Sequence, residues 1–395
     1  MSRYRVLPSP AQQAMLREHC AHARFVWNLA VEQHLHWRPG RKSAPGYLEQ
    51  CRQLTVARAE HPWLAAGSQM VQQHALRDFA QAKANYFRGT HGRPSWRKAS
   101  RDEGFRVVAL RPGDVRRLSR HVAEVRVPKA GWVRFRWSRP VPPGVKSYRI
   151  TRDRAGRWHV AFAVIPEPIP GPAHGETVGM DRGVAVSVAL STGEMLTVPG
   201  LSAGRRRRLR RLQRRLARAR PGSNRRVRVK RAAARLRARE ADARKDWAAK
   251  TSTGIARQFG LIRVEDLRIT DMTRSAKGTA GNPGRNVRQK AGLNREILRS
   301  GWGLLVRRLE DKAPGRVEKV KPHTTSQRCS ACGHVDPESR ESQARFVCTA
   351  CGFAGHADVN AAINIAAGHA VTARGGDGVT RPVNREPHLL LQPAQ

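Results

Sequence analysis

Three observations predict a multidomain chain of mixed class: a helical module, then short antiparallel strands of small-barrel type, then an α/β domain with a metal-bound insert. Apolar residues recur at spacings of three and four over residues 11–90, at a spacing of two from about 104 to 164, and in an α/β pattern beyond 175. Four of the six cysteines crowd into one short C-terminal stretch. Finally, 75 Lys and Arg stand against 30 Asp and Glu, a net charge of +45 over 395 residues. Self-repulsion on that scale opposes a compact state unless a polyanion is bound. The apolar share of 39% is enough for cores in two or three domains, which excludes a purely disordered basic protein. No run approaches the ~18–20 apolar residues of a spanning helix, and the N-terminus lacks a signal-peptide core. The expectation is therefore a soluble cytoplasmic protein whose partner is nucleic acid, with no membrane involved.

The first segment, Tyr4-Arg5-Val6-Leu7-Pro8, reads as a strand ended by proline, with Ser9 as a helix N-cap and Pro10 at the first helical position. Leu16, Cys20, Ala23, Trp27, Ala30 and His34 then share one face of a helix. Cys20 and the equally isolated Cys51 read as small buried hydrophobes. After a Pro/Gly loop at 38–46, a helical pattern from about Gln69 to Phe87 carries Ala75, Leu76, Phe79, Ala82 and Phe87. Strands are expected at 105–110, 122–127, 132–137, 148–151 and 158–164. In the third of these, alternation sets Val133, Phe135 and Trp137 on one face and Trp132, Arg134 and Arg136 on the other. The second face suits base stacking with phosphate contact, or equally the solvated outside of a small barrel.

Residues 165–175, with four prolines and two glycines, read as a linker. A strand is expected at 178–190, a turn at Ser191-Thr192-Gly193-Glu194 and a returning strand at 195–198. Residues 205–245 hold twenty Lys and Arg but only two acids, Glu240 and Asp242. Leu209, Leu212 and Leu216 form a narrow apolar stripe, Pro221-Gly222-Ser223 breaks the helix, and a second basic helix continues to about Phe259. Two carboxylates cannot pair that density of cations, so a helical hairpin with its apolar edge on the protein and its guanidinium side on phosphates is expected. Arg205, Arg206, Arg208, Arg211 and Arg215 thus join Arg134 and Arg136 as candidate nucleic-acid contacts. Leu261-Ile262-Arg263-Val264-Glu265 reads as a strand ending in a carboxylate, 271–292 as a mobile loop, and 294–311 and 358–367 as helices. A tail from about 375 is expected to be disordered.

Cys329-Ser330-Ala331-Cys332 and Cys348-Thr349-Ala350-Cys351 form two C-x2-C knuckles fifteen residues apart, each followed by a glycine, Gly333 and Gly352. Four thiolates make a closed tetrahedral shell, so one structural zinc is expected. An Fe–S centre is the alternative, disfavoured by the symmetry of the paired turns. His334 and His356 read as spare polar residues.

In a chain so poor in acids, those at the edges of apolar segments stand out: Asp181, Glu265 and Asp358. Singly they could be a turn residue beside Gly183, an arginine partner and a helix N-cap. Together, two strand-borne carboxylates and one from a helix can converge at a sheet edge and hold two Mg2+ ions, with Mn2+ able to substitute, about 4 Å apart. One ion would activate a water and the other stabilise the leaving oxygen of a phosphodiester displacement.

These residues resemble the TnpB (OrfB) family of bacterial insertion sequences, relatives of type V CRISPR effectors. The matching stretches are Tyr4–Pro8 with Ala23-Arg24-Phe25-Val26-Trp27-Asn28, then Val178-Gly179-Met180-Asp181-Arg182-Gly183, then Val264-Glu265-Asp266-Leu267, and then Thr325-Ser326-Gln327 through the cysteines to Asp358-Val359-Asn360-Ala361-Ala362-Ile363-Asn364-Ile365. They cover residues 1 to about 370 in the family's order. The resemblance implies an RNase H-like (RuvC) nuclease domain with an inserted zinc ribbon, and an N-terminal β-barrel wedge domain carrying a helical insertion. On that mapping the wedge is 1–10 and 91–170, the helical recognition domain 11–90, the nuclease domain 171–321 and 357–373 with the basic hairpin 205–259, the ribbon 322–356 and the tail 374–395. Asp181, Glu265 and Asp358 would be the catalytic, Mg2+-binding acids, and Cys329, Cys332, Cys348 and Cys351 the zinc ligands. The implied activity is cutting of double-stranded DNA selected by a guide RNA from the element's own end, with base pairing carrying most of the specificity. Such a protein would be bacterial and cytoplasmic, nucleoid-associated when bound to DNA. Arg182 departs from the apolar residue that many relatives carry beside the first acid, which would alter local charge. Two other readings are a strand-joining transposase using the same acids, and a non-catalytic nucleic-acid-binding regulator on a degenerate nuclease fold.

Overall fold

The computed structural model describes residues 2–36, 44–99, 101, 103–164, 166–173, 175–322 and 324–368; the tail expected at 374–395 lies outside them, as does most of the 38–46 loop. Two compact units are formed, residues 1–166 with 204–238, and residues 167–203 with 239–395. The first division falls in the proline-rich linker. No helix among the described residues is long and apolar enough to cross a membrane.

In the first unit, β1 (Ser2–Val6) is followed by four helices, α1 (Pro10–Leu35), α2 (Tyr47–Glu60), α3 (Pro62–Ala66) and α4 (Gln69–Phe87). Ser9 and Gln12 start α1 with a reciprocal capping box. Its expected apolar face is buried at Leu16, Cys20, Ala23, Trp27 and Ala30, and His34 is half-buried. Phe87, expected on the apolar face of α4, is 76% exposed at the last position of the helix.

Six strands then follow: β2 (Gly104–Val108), β3 (Val115–Arg117), β4 (Val122–Val127), β5 (Gly131–Arg136), β6 (Ser147–Arg152) and β7 (Trp158–Ala163). With β1 they form an antiparallel sheet in the order β2-β6-β7-β1-β5-β4-β3. The first strand of the chain is thus the central one, and the helices are an insertion between it and the rest. Tyr4 of β1 meets Phe135 and Phe162 edge-on, with centroids 5.4 and 5.6 Å away. Strand β3 was not legible, since Val115-Arg116-Arg117 offers a single apolar side chain.

The basic hairpin is α5 (Ala203–Arg218) and α6 (Asn224–Gln258). The expected stripe is real: Leu212 packs with Val229, Ala233 and Leu236, flanked by Leu209 and Leu216. Arg226 donates to the Leu216 and Ala219 carbonyls at 2.7 and 2.9 Å, closing the end of α5. Gly222, at φ +80, supplies the reversal. Residues 204–238 fall in the first compact unit and the rest of α6 in the second.

The second unit is built on β8 (Thr177–Asp181), β9 (Val188–Leu190), β10 (Met195–Leu196), β11 (Leu261–Glu265) and β12 (Val317–Val320), in the order β10-β9-β8-β11-β12. The first three form an antiparallel meander, and β11 and β12 run parallel to β8. The single strand expected at 178–190 is therefore a pair. Val184 and Val186 prolong the apolar alternation through what is in fact a turn. Helices α7 (Ile269–Met272), α8 (Val287–Ser300) and α9 (Trp302–Lys312) lie between β11 and β12. The expected 294–311 helix is cut in two because Gly301 takes φ +73, and α8 begins within the segment read as a loop. Strand β12 was missed because Glu318 and Lys319 face solvent.

A small hairpin, β13 (Arg345–Val347) and β14 (Ala354–His356), precedes α10 (Ala357–Ala367). Val178, Met180, Ile262 and Val264 turn to one side of the sheet, against Ile255 and Phe259 of α6 and Leu305 and Leu309 of α9. The other side of β8 carries α10. A Cβ at Gly179 would stand 1.9 Å from the Ala362 carbonyl oxygen and 2.4 Å from the Ala366 nitrogen, so only glycine lets helix and strand approach this closely.

Candidate active site and thiolate centre

Asp181 and Glu265 are the last residues of neighbouring parallel strands, one step beyond the Met180–Val264 register pair. Side chains alternate along a strand, so Asp181 projects to the same side as Gly179, where α10 lies. Asp358 stands at the second position of α10, in the first turn, where the helix dipole favours a carboxylate. The three acids that sequence reasoning singled out are therefore brought to one sheet edge. Burial, then the charges of Glu265 and Asp358, push the Asp181 carboxyl up to about 7, with Arg340 opposing.

The surroundings exclude one of the alternative roles. Asp358 is not the N-cap: His356 is, its Nδ1 accepting from the Asp358 amide at 3.2 Å. His356, read as a spare polar residue, thus fixes the start of the helix. Arg340 reaches Asp358 Oδ1 at 3.2 Å, an ion pair that no local pattern announces. Glu265 accepts at Oε1 from the Thr325 hydroxyl at 2.8 Å. Arg182 is 7% exposed and donates to the Glu265 carbonyl, so its guanidinium holds the end of β11. Gly183 is required by a near approach: a Cβ there would lie 2.7 Å from the Val186 carbonyl oxygen and 3.8 Å from Asp358 Oδ2.

At the knuckles, Cys329 and Cys351 Sγ are 3.8 Å apart and Cys332 and Cys348 Sγ 3.6 Å apart. All four sulfurs lie within 4.8 Å of one another, the one such gathering of potential metal ligands among the described residues. A regular tetrahedron of Zn–S bonds of about 2.3 Å needs sulfurs about 3.8 Å apart, so the donor set fits zinc. Gly333 at φ +81 and Gly352 at φ +72 donate their amides to the Cys329 and Cys348 carbonyls, both at 3.0 Å, as the sequence led one to expect. The carboxylates are spread more widely, and hard oxygen donors in mutual repulsion suit divalent cations rather than a thiophilic ion.

Of the candidate nucleic-acid contacts, Arg205, Arg206, Arg208, Arg211, Arg215 and Arg136 are exposed. Arg134 is exposed but held by Glu124 at 3.2 Å, and Arg116 lies over the Trp132 ring at 4.1 Å. The aromatic on that face is thus already covered by a cation.

Residues 159–276 match the family model described as "Probable transposase" (OrfB_IS605), 302–365 the "Cas12f1-like, TNB domain" and 2–42 a "Helix-turn-helix domain". The chain is 35% identical over 403 aligned residues to the "Putative RNA-guided DNA endonuclease InsQ" of Escherichia coli (strain K12), covering 99% of this chain and 98% of that protein. A Streptomyces pristinaespiralis protein bearing the same description without the suffix is 30% identical, over 95% of this chain and 91% of its own. The solved Cas12f1-sgRNA-target DNA complex shares the fold, with a TM-score of 0.52 at 14% identity over 89% of this chain and 81% of that one. The chain thus has a mixed α/β fold resembling that of Cas12f1, with a cysteine cluster able to hold zinc. It belongs to the OrfB (TnpB) family.

Proposed function

We propose that this protein is an RNA-guided DNA endonuclease of RuvC type in which Asp181, Glu265 and Asp358 hold two Mg2+ ions, replaceable by Mn2+. The observation that carries this reading is the meeting of three acids from β8, β11 and α10 at one sheet edge, where burial first, and then the charges of Glu265 and Asp358, raise Asp181 to about 7. Bound divalent ions would supply activation of the attacking water and stabilisation of the leaving oxygen. The protein's own part is to present the acids on rigid elements: paired strand ends for two and a capped helix turn for the third. Cys329, Cys332, Cys348 and Cys351 hold zinc. The 91–164 sheet with β1 serves as a barrel-like wedge, the helices of 11–90 as the recognition module, and 322–356 as the ribbon. Exposed arginines of α5, with Arg136, contact the phosphates of a guide RNA and of double-stranded target DNA. The relatives' descriptions and the net charge of +45 support those partners.

The test is Asp181→Ala in protein purified with its co-purified RNA. Cleavage of a matched duplex in Mg2+ is expected to vanish while RNA binding persists. Equal loss of both would make Asp181 a structural residue and overturn the assignment. Joined DNA ends formed without RNA would identify a strand-joining enzyme instead.

A further inference from the structure

The thiolate knuckle and the carboxylate edge are 60 residues apart in the chain at Glu265 and Thr325, yet they share a chain of hydrogen bonds. Thr325 is 5% exposed, lies four residues before Cys329, and gives its hydroxyl to Glu265 Oε1 at 2.8 Å. It is placed by an uncommon backbone: the preceding Thr324 takes φ +57, a left-handed conformation in which a β-branched residue is an outlier. The Thr324 carbonyl then accepts from Gln327 and Arg328, closing a turn that runs straight into Cys329.

The same stretch is pegged to the helix that carries Asp358. Asn360 accepts from the Ser330 amide at 2.8 Å and donates to the Arg328 carbonyl at 2.8 Å, so it brackets Cys329 from both sides. Asn364, one turn further along the same face, donates to the Thr325 and Arg328 carbonyls at 3.0 and 2.7 Å. Both asparagines are buried, at 2% and 1% exposure. From the far knuckle side, Arg340 meets Asp358. Two of the three acids are therefore held by groups whose own positions depend on the ribbon.

We propose that Thr325 is a positioning residue for Glu265, through which the metal-closed knuckle fixes the geometry of the carboxylate centre. The inference rests on the acids being the divalent-ion site. A threonine hydroxyl on one carboxylate oxygen leaves the other free and restricts rotation of the carboxyl group, the usual service of an outer hydrogen-bond partner to a metal ligand. Without the knuckle closed on its ion, the 324–330 turn is held only by the α10 asparagines, and the hydroxyl loses its fixed direction.

The experiment measures Mn2+ affinity by the EPR signal of free Mn2+ in the full-length protein, with no cleavage assay needed. Thr325→Val, which keeps the shape and deletes the hydroxyl, is expected to weaken Mn2+ binding about 10-fold or more, the range seen for outer-shell partners. Thr325→Ser should restore it. Zinc-stripped wild type should bind Mn2+ weakly and recover on adding one equivalent of Zn2+; Thr325→Val should show no such recovery. Co2+ in place of zinc, with its thiolate absorption, verifies that the variant's knuckle still closes. Unchanged Mn2+ affinity in Thr325→Val, or full zinc-dependent recovery in that variant, overturns the proposal. Asp181→Ala run alongside separates the two ideas: if it too binds Mn2+ normally, the acids are not the ion site at all.

Discussion

The two centres of the second unit are built in opposite ways. Four thiolates come from two C-x2-C turns within 23 residues, and each turn makes its own geometry through a glycine at positive φ. Three carboxylates come from positions 181, 265 and 358, and only the sheet order and the packing of α10 bring them together. A short motif can build a closed shell by itself, whereas the proposed open site of three acids needs the whole fold as its frame.

That contrast can be broken at its strongest point by removing zinc. Among the described residues the knuckle's core is Cys329, Cys348, Phe346, Ala357 and a half-buried Phe353, and structural zinc contributes on the order of 10 kcal/mol in small metal-closed modules. Prolonged chelation should abolish hydrogen-exchange protection at Phe346 while β8 and β11 keep theirs. Brief EDTA treatment, enough to take a divalent ion from the proposed acid site, should leave all of it intact. Loss of protection in β8 and β11 together with Phe346 would show that the sheet frame does not stand apart from the knuckle.

A smaller effect sharpens the other half. Gly179→Ala places a methyl against the α10 backbone, and overpacking of this kind costs about 1–3 kcal/mol. The denaturant midpoint should fall accordingly, and cleavage more than stability would suggest, since α10 carries Asp358. A silent Gly179→Ala would mean that helix and strand do not approach as closely as described.

The mildest test concerns the exposed arginines. Replacing Arg205, Arg206, Arg208, Arg211 and Arg215 with Gln should flatten the dependence of log affinity on log salt by about 0.7–0.9 for each phosphate that is no longer neutralised. Affinity at a single salt concentration is the weaker readout, and an unchanged slope would place the phosphate-binding surface elsewhere.

Legibility followed the same division. The knuckles could be read from spacing, and the acids stood out by their scarcity at the edges of apolar segments. The apolar stripe of the basic hairpin was also plain, because Leu209, Leu212 and Leu216 are its only large apolar side chains over two turns. What the sequence hid was whatever depends on distant partners. Thr325 and Arg340 have no local pattern that points to Glu265 or Asp358. His356 looked idle, because a histidine is not a customary helix cap. The turn after Asp181 was masked by Val184 and Val186, and the helix break at Gly301 by apolar residues on both sides.

The placement of the two asparagines on α10 has a consequence for how such sequences can drift. Asn360 and Asn364 seat one face of the helix on the knuckle, and Asp358 lies two positions ahead of the first. A helix turns by about 100° per residue. Deleting the half-buried Val359 would leave both pegs in their sockets yet swing the acid a quarter-turn or more away from the sheet edge. Replacing Val359 with another aliphatic side chain should cost little. Over this stretch, one aliphatic side chain can replace another at 359, but a residue cannot be gained or lost.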